Sequence, residues 1–295
     1  MDIENIKLSN NNQQNEIDKK CAPGIKYDTG SCIELNVLIE MANAYNINNN
    51  NKIKIYNTME TLNPKKYKIY LLNEISNRTS DKCDNQRCWS SQSFIKRMNN
   101  KMRTQLEKYT FRPSGPEGRF DWLSNVNINE VMEQYENKYK DFKYLGTVPM
   151  DFDEISQLGI KELDLNKLKR ENKIKLGIIF NLDEHNKSGS HWVALYTDLN
   201  KCETYYFDSY GIEPEYRVRK FMRRIYRYNQ ENNINKIQII ADYNKIRHQY
   251  ENSECGVYSM NFIIRMLRGE SFKNICNSKI HDTKINKCRD IYFTN

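Results

Sequence analysis

Residues 189–211 read GSHWVALYTDLNKCETYYFDSYG. Two runs rich in β-branched and aromatic residues, HWVALYTD and ETYYFDSYG, flank a polar turn, the pattern of adjacent strands. His191 opens the first strand directly after SGS and directly before Trp192. Asp208 closes the second. Neighbouring antiparallel strands bring such ends together. Asp208 can then accept the Nδ1 proton of His191 and leave Nε2 facing a third group.

Upstream, KLGIIFN (175–181) is another short apolar run, separated from His191 by the polar loop LDEHNKSGS. Downstream, RVRKFMRRIYRYNQEN (217–232) has helical spacing, with Val218, Phe221, Met222, Ile225 and Tyr226 on one side. KIQIIAD (236–242) reads as a fourth strand. Then comes KIRHQYENSECGVYSM (245–260), leading into a helix that begins at Cys255 and stops at Gly269, as a glycine cap does. Strands followed by a buried helix indicate an α+β domain.

A cysteine at the mouth of a helix meets unpaired backbone N–H groups and the positive dipole end, which favour the anionic thiol. The Cys255 N–H and the side-chain amide of Gln249 are candidate donors to an oxyanion. The chain has only four histidines. His248 adjoins Gln249 and faces the other way, His185 lies in the polar loop, and His281 lies near the C-terminus. His191 remains as the base. Singly, a free cysteine is most often a buried structural residue and Asp208 a turn former. The ordered set is more specific: His191, Asp208 17 residues on, Gln249 41 further and Cys255 6 further.

The N-terminal part is less informative. Residues 1 to about 20 are Asn-rich and read as a mobile tail. Helical spacing is present in SCIELNVLIEMANAYN (31–46) and from Trp89 to Tyr109. FRPSGPEGRF (111–120) is the densest Pro/Gly cluster and places a domain join near Gly118. A helix follows from about Asn127, with Asn127 as N-cap and Glu130 three residues on. The expected organisation is a mainly helical arm over 1–118 and a catalytic domain over 119–295.

The 295 residues carry a net charge of +8, with 38% apolar and 28% charged residues. That length supports a full core, and the basic residues are spread along the chain. No apolar run is long enough to span a membrane and no secretory signal is visible, so neither is expected. On that basis the eight cysteines are expected as thiols. Cys21, Cys32, Cys83 and Cys88 lack a histidine at finger spacing, so no metal and no cofactor is expected.

GSHWVALYTD, YYFDSYG and RHQYENSECGVYSM resemble the three catalytic blocks of the ubiquitin-like-protein proteases, cysteine proteases related to the adenovirus protease. The resemblance implies a papain-like core of mixed, mainly antiparallel sheet flanked by helices. It implies His191 as catalytic histidine, Asp208 as the acid orienting it, Gln249 as oxyanion donor and Cys255 as nucleophile. Trp192 matches the tryptophan that follows the histidine. FDWLSNVNINEVMEQY resembles the family's Trp-Leu segment, so Trp122 would roof the substrate's Gly-Gly tail. A closer likeness, extending upstream through CDNQRCWSSQSFIKRM, is to the polyprotein-processing proteases of large cytoplasmic DNA viruses, that of African swine fever virus among them. Asp208 departs from the asparagine that stands there in the swine fever enzyme, and either side chain can orient an imidazole.

The expectation is therefore an endopeptidase cutting viral precursors after Gly-Gly, in the host cytoplasm or the virion. The other substrate class is a ubiquitin-like modifier, cleaved by an isopeptidase. A protease-like acetyltransferase is a further alternative, with no coenzyme A pocket suggested by the residues. DNA contact through the basic helix 217–228 would compete with simple solvation of its charges.

Overall fold

The computed structural model describes residues 15–294. Within that span the chain forms two compact units, one running to Pro113 and rejoined by Phe293 and Thr294, the other Ser114–Tyr292. The join thus falls ahead of Gly118. The Gly118 turn is held by the second unit: Arg119 Nε donates to Asn286 at 2.7 Å, and Arg289 to the Asp121 carbonyl at 2.8 Å.

The first unit is helical: α1 (Leu35–Asn46), α2 (Met59–Leu62), α3 (Pro64–Thr79) and α4 (Asn100–Tyr109). Val37, Leu38, Met41 and Ala42 form the buried stripe of α1. In α3, Asn63 accepts the Lys66 N–H and Pro64 opens the first turn, so this helix starts sharply. Its Tyr67, Leu71 and Ile75 join the same core as α1. The helix expected from Trp89 is broken into two 3₁₀ turns, Arg87–Ser91 and Ser93–Arg97, before α4 begins. Asn99 explains the break, because its side chain accepts the Met102 N–H and sets a new N-terminus.

Two further expectations fail here. Cys21 is bonded to Cys32 and Cys83 to Cys88, so only Cys202, Cys255, Cys276 and Cys288 are thiols. Local chain reversals place the paired Cα atoms 5.3 and 5.5 Å apart, within bridging reach. Residues 1–14 of the expected tail lie outside the described residues, but Glu16–Lys19 form a 3₁₀ turn. Its Asp18 is buried and accepts the Gln86 N–H at 2.8 Å.

The second unit is built on a five-stranded sheet in the order β1 (Phe142–Val148), β2 (Lys175–Asn181), β3 (Trp192–Asp198), β4 (Glu203–Phe207) and β5 (Ile240–Tyr243). Its helices are α5 (Asn125–Lys138), α6 (Leu165–Arg170), α7 (Tyr216–Asn232), α8 (Cys255–Leu267), α9 (Phe272–Asn277), α10 (Asp282–Asn286) and α11 (Arg289–Tyr292). The inner pairings are antiparallel, and the outer pairs β1–β2 and β4–β5 are parallel. Parallel neighbours need a crossover, and α6 and α7 supply one each. The N-cap of α5 is Ser124 rather than Asn127; Asn127 closes the capping box from the third position.

Alternation along the strands sends Leu176, Ile178, Phe180, Val193, Leu195 and Tyr206 to one face, against Val218, Phe221, Met222 and Ile225 of α7. The other face carries α8. Phe262 stacks on Phe207 with ring centroids 5.0 Å apart, and the Ser259 hydroxyl donates to the Trp192 carbonyl at 3.1 Å. Each such buried apolar side chain contributes about 1.5–3 kcal/mol. Gly177 leaves room for this packing, since a Cβ there would lie 3.2 Å from Ile263 of α8 and 2.8 Å from the Phe142 ring of β1. The sandwiched sheet presents the start of β3, the end of β4 and the start of α8 at one edge. Among the described residues no helix is long and apolar enough to cross a membrane.

Candidate active site

Ala194 stands opposite Phe207 in the β3–β4 ladder. Continuing that register past the strand ends sets His191 opposite Tyr210 and diagonal to Asp208, two residues away on the same face. The side chains obey it. His191 Nε2 lies 2.7 Å from Asp208 Oδ1, and its ring stacks on Tyr210 with centroids 4.5 Å apart at 22°. The Tyr210 N–H donates to the same Asp208 oxygen at 2.8 Å. The Asp208 carbonyl accepts from Asn244 Nδ2 at 2.8 Å. Both members of the pair are covered, with side-chain exposures of 9% for His191 and 1% for Asp208.

Cys255, at the start of α8, lies within electrostatic reach of the His191 ring. With Nε2 taken by Asp208, the nitrogen left for the sulfur is Nδ1. The ring is therefore turned the opposite way from the sequence expectation. The distal nitrogen reaches across to the neighbouring strand, while the nitrogen nearer the backbone meets α8, which packs over the start of β3. Burial pulls the His191 pKa down. The hydrogen bonds to Asp208 and Cys255 and their charges outweigh burial, and the pKa is pushed up to about 9.

Cys255 is buried at the first position of α8. Its predecessor Glu254 is the N-cap residue but makes no side-chain cap bond. The Glu254 carboxylate instead accepts from Arg289 Nε at 3.1 Å, Asn286 Nδ2 at 2.9 Å and the Ser253 hydroxyl at 2.8 Å. The helix end is thus not neutralised by its own acid, and its first N–H groups have no intrahelical acceptor. Arg289 also donates to the Asp121 carbonyl, linking the nucleophile's helix to the segment that carries Trp122.

Gln249 is buried and fixed. The Ser209 hydroxyl donates to its Oε1 at 2.7 Å, and its Nε2 donates to the Glu251 carbonyl at 2.6 Å. An amide nitrogen has two hydrogens, so one is left for another acceptor. The donor expected from the sequence is therefore held in place by two bonds.

A cleft of about 450 Å³ ends at His191 and Trp192 and is lined by Trp122, Leu123, Ser124 and the 183–190 loop. Trp122 is half exposed at its edge, with 50% of its surface open. Trp192 is buried, and its indole N–H donates to the Leu123 carbonyl at 3.0 Å. It therefore positions the segment bearing Trp122 while forming one wall. Gly256 completes the join: a Cβ there would sit 3.3 Å from Leu123 and Ile128.

The other histidines are placed as expected. His248 is buried with Nε2 on the Cys276 carbonyl at 3.0 Å, and His185 pairs with Asp151 in the loop. Among the described residues no cluster of three or more His, Cys, Asp or Glu side chains is arranged to hold a metal. Tyr210, Ser209, Asn244 and the Glu254–Asn286–Arg289 group are the contributors that sequence reasoning does not name. Tyr210 is reachable from the strand register; Arg289 has no signal.

A buried imidazole paired with a carboxylate and coupled to a buried helix-terminal thiol is the arrangement of a thiol hydrolase. The Ulp1 protease family, C-terminal catalytic domain, matches residues 166–294. A thiol protease of Acanthamoeba polyphaga mimivirus is 36% identical over 285 residues, covering 93% of each chain. The chain belongs to the Ulp1 protease family. It is a cysteine protease. The SUMO-1 cysteine protease of African swine fever virus is 26% identical over 229 residues, covering 72% of this chain and 83% of the relative. The crystal structure of the African swine fever virus protease matches with a TM-score of 0.57 and 24% identity, over 85% of this chain and 94% of the other. That likeness carries the Ulp1-type fold through the mixed sheet and its helices.

Proposed function

We propose that this Ulp1-family protease is an endopeptidase that cuts viral polyprotein precursors after Gly-Gly, acting in the cytoplasm of the infected cell or in the virion. The observation that carries the chemistry is the buried His191 ring, bonded to Asp208 and electrostatically coupled to the helix-terminal Cys255. Cys255 attacks the scissile carbonyl as a thiolate. The tetrahedral oxyanion is met by the helix-terminal N–H of Cys255 and the spare N–H of Gln249. As the C–N bond breaks, His191 Nδ1 gives its proton to the leaving amine, and a thioester forms. His191 then takes a proton from water, which hydrolyses the thioester. Asp208 holds the imidazole and balances its charge throughout.

The Gly-Gly preference is supported by the cleft. Trp122, Leu123 and Trp192 line the cleft that reaches His191. A backbone without Cβ atoms fits under an aromatic roof where bulkier residues collide. The name of the swine fever virus relatives, SUMO-1 cysteine protease, favours a second substrate of the same chemistry, a ubiquitin-like modifier. Nucleic-acid contact through 217–228 has weaker support. Arg217 pairs with Glu154 and Glu184, Arg219 with Glu213 and Lys220 with Asp153, while Arg224 donates to the Ile160 and Leu163 carbonyls.

The test is a fluorogenic peptide ending in Gly-Gly and its two Gly→Ala relatives. Each alanine should lower kcat/KM by at least about 100-fold, roughly 2.7 kcal/mol. Equal cleavage of all three would remove the Gly-Gly reading. New protein termini found only with active Cys255 would separate precursor cleavage from removal of a modifier.

A further inference from the structure

The cleft reaches His191. Stacked on the same ring begins a row of alternating rings and cations. The Tyr210 ring lies on His191. The Arg247 guanidinium sits 5.2 Å over Tyr210 and 4.8 Å over Tyr250. Lys279 Nζ lies 4.2 Å over Tyr250 and 2.6 Å from its hydroxyl. Arg247 is held from behind by one bond, Nε to the Gln249 carbonyl at 2.8 Å. Its terminal nitrogens are directed by that bond and by the two rings, with little rotamer freedom left.

The neighbouring lysine, Lys245, has Asp242 at 3.2 Å. Arg247 and Lys279 have no carboxylate within ion-pair reach among the described residues. Two acids lie near the row. Asp282 is turned onto the backbone N–H groups of Tyr250 and Glu251, and Glu251 is exposed at the rim. Ile212, Ile246 and Tyr250 add exposed apolar surface. The loops that carry them are pressed together at Gly211, whose φ is +75° and whose Cβ would lie 2.8 Å from the Ile246 backbone. The row is thus a built shelf, cationic and aromatic, bordering both the base and the oxyanion glutamine.

A substrate whose Gly-Gly lies in the cleft must carry its leaving segment past His191, which protonates the departing amine. From this placement we infer that the Tyr210–Arg247–Tyr250–Lys279 shelf is the leaving-side subsite, and that it selects polypeptides with an acidic residue shortly after the scissile bond. A carboxylate can engage both terminal nitrogens of a preorganised guanidinium, and the flanking rings cover the peptide backbone. The inference rests on the Gly-Gly endopeptidase reading and extends it to the residues beyond the cut.

The experiment uses the full chain and three peptides that share one Gly-Gly sequence and differ only after it, with acidic, neutral or basic leaving segments. A Gly-Gly coumarin amide, which has no leaving-side peptide, reads the Gly-Gly chemistry by itself. Wild-type protein should cut the acidic peptide about tenfold faster in kcat/KM than the basic one, with the preference shrinking as salt rises. Arg247→Glu should bring that ratio to one or below, and Lys279→Glu should reduce it less. A wild-type ratio of one overturns the subsite, as does a ratio untouched by both reversals. If Arg247→Glu does not fold, the wild-type series and Lys279→Glu decide. Coumarin release with a flat peptide series sinks the shelf alone, whereas no coumarin release sinks the Gly-Gly reading beneath it.

Discussion

The second unit contains two histidine–aspartate pairs built from the same atoms and put to different ends. At the strand ends, His191 and Asp208 have side-chain exposures of 9% and 1%. His185 of the β2–β3 loop and Asp151, just after β1, have 62% and 7%. Both imidazoles are pushed up in pKa. For His185 the cause is the hydrogen bond to Asp151. For His191 burial works against protonation, and Asp208 and Cys255 together overcome it. The open ring is stabilised by one partner in water. The closed ring is held by the Asp208 carboxylate, the neighbouring Cys255 sulfur and a stacked tyrosine, so its charge responds to chemistry at the sulfur. Burial with two partners, not the presence of a His–Asp pair, is what marks the working site.

The largest test of that contrast removes the sulfur. Cys255→Ala should lower peptide cleavage by at least about 10⁴-fold, to background in a continuous fluorogenic assay. It should also drop the His191 pKa below about 9, since the thiol's hydrogen bond and charge help to raise it. The His185 titration should not move. An NMR titration of both rings reads the two outcomes at once, and a common shift would dissolve the distinction. Next in size is Gln249→Ala. One lost oxyanion donor costs about 10²–10³ in kcat. KM should change little, because the donor meets charge that develops only in the transition state.

The placing of these groups is partly legible in the chain. His191, Asp208, Gln249 and Cys255 can be found because strand ends and a helix start are local features, and their order along the chain is informative. The direction of the imidazole is not legible, because it depends on α8 crossing β3, a contact between distant segments. Arg289 lies 35 residues from Glu254, and no periodicity links them. Strand β1 gives a weak signal because Lys143 and Gly146 interrupt its apolar pattern in FKYLGTV. The cap of α5 is easily misplaced because Asn127, which reads as the cap, is its third-position partner. The cysteine pairs mislead because compartment and spacing are all that a sequence offers, whereas bridging depends on Cα separation after folding.

A smaller effect is expected from Asp208→Asn. The amide still orients the ring but withdraws a negative charge, so kcat should fall by about tenfold, roughly 1.4 kcal/mol. The His191 pKa should drop with it. In the wild-type protein, a folded-state value of about 9 against roughly 6.5 in the unfolded chain means the folded chain holds that proton more tightly. The resulting stabilisation is complete below the unfolded value and is lost as pH rises through about 9. Thermal unfolding from pH 6 to 10 should therefore show a decline in Tm over that interval. The decline should flatten in Asp208→Asn, and an equal slope in both proteins would mean that another group carries the effect.

The smallest change should come from the open pair. His185 lines the cleft rather than touching the reacting atoms. Replacing it by glutamine removes a charge on an exposed ring that the Asp151 carboxylate stabilises, where water screens the interaction. Asp151 would still accept the backbone N–H of residue 185, which it does at 3.0 Å. His185→Gln should thus raise KM by no more than about threefold, with kcat and the alkaline limb of the pH profile in place. A shifted alkaline limb in His185→Gln would show that the loop ring is coupled to Cys255 after all, and the two pairs would have to be read as one titrating system.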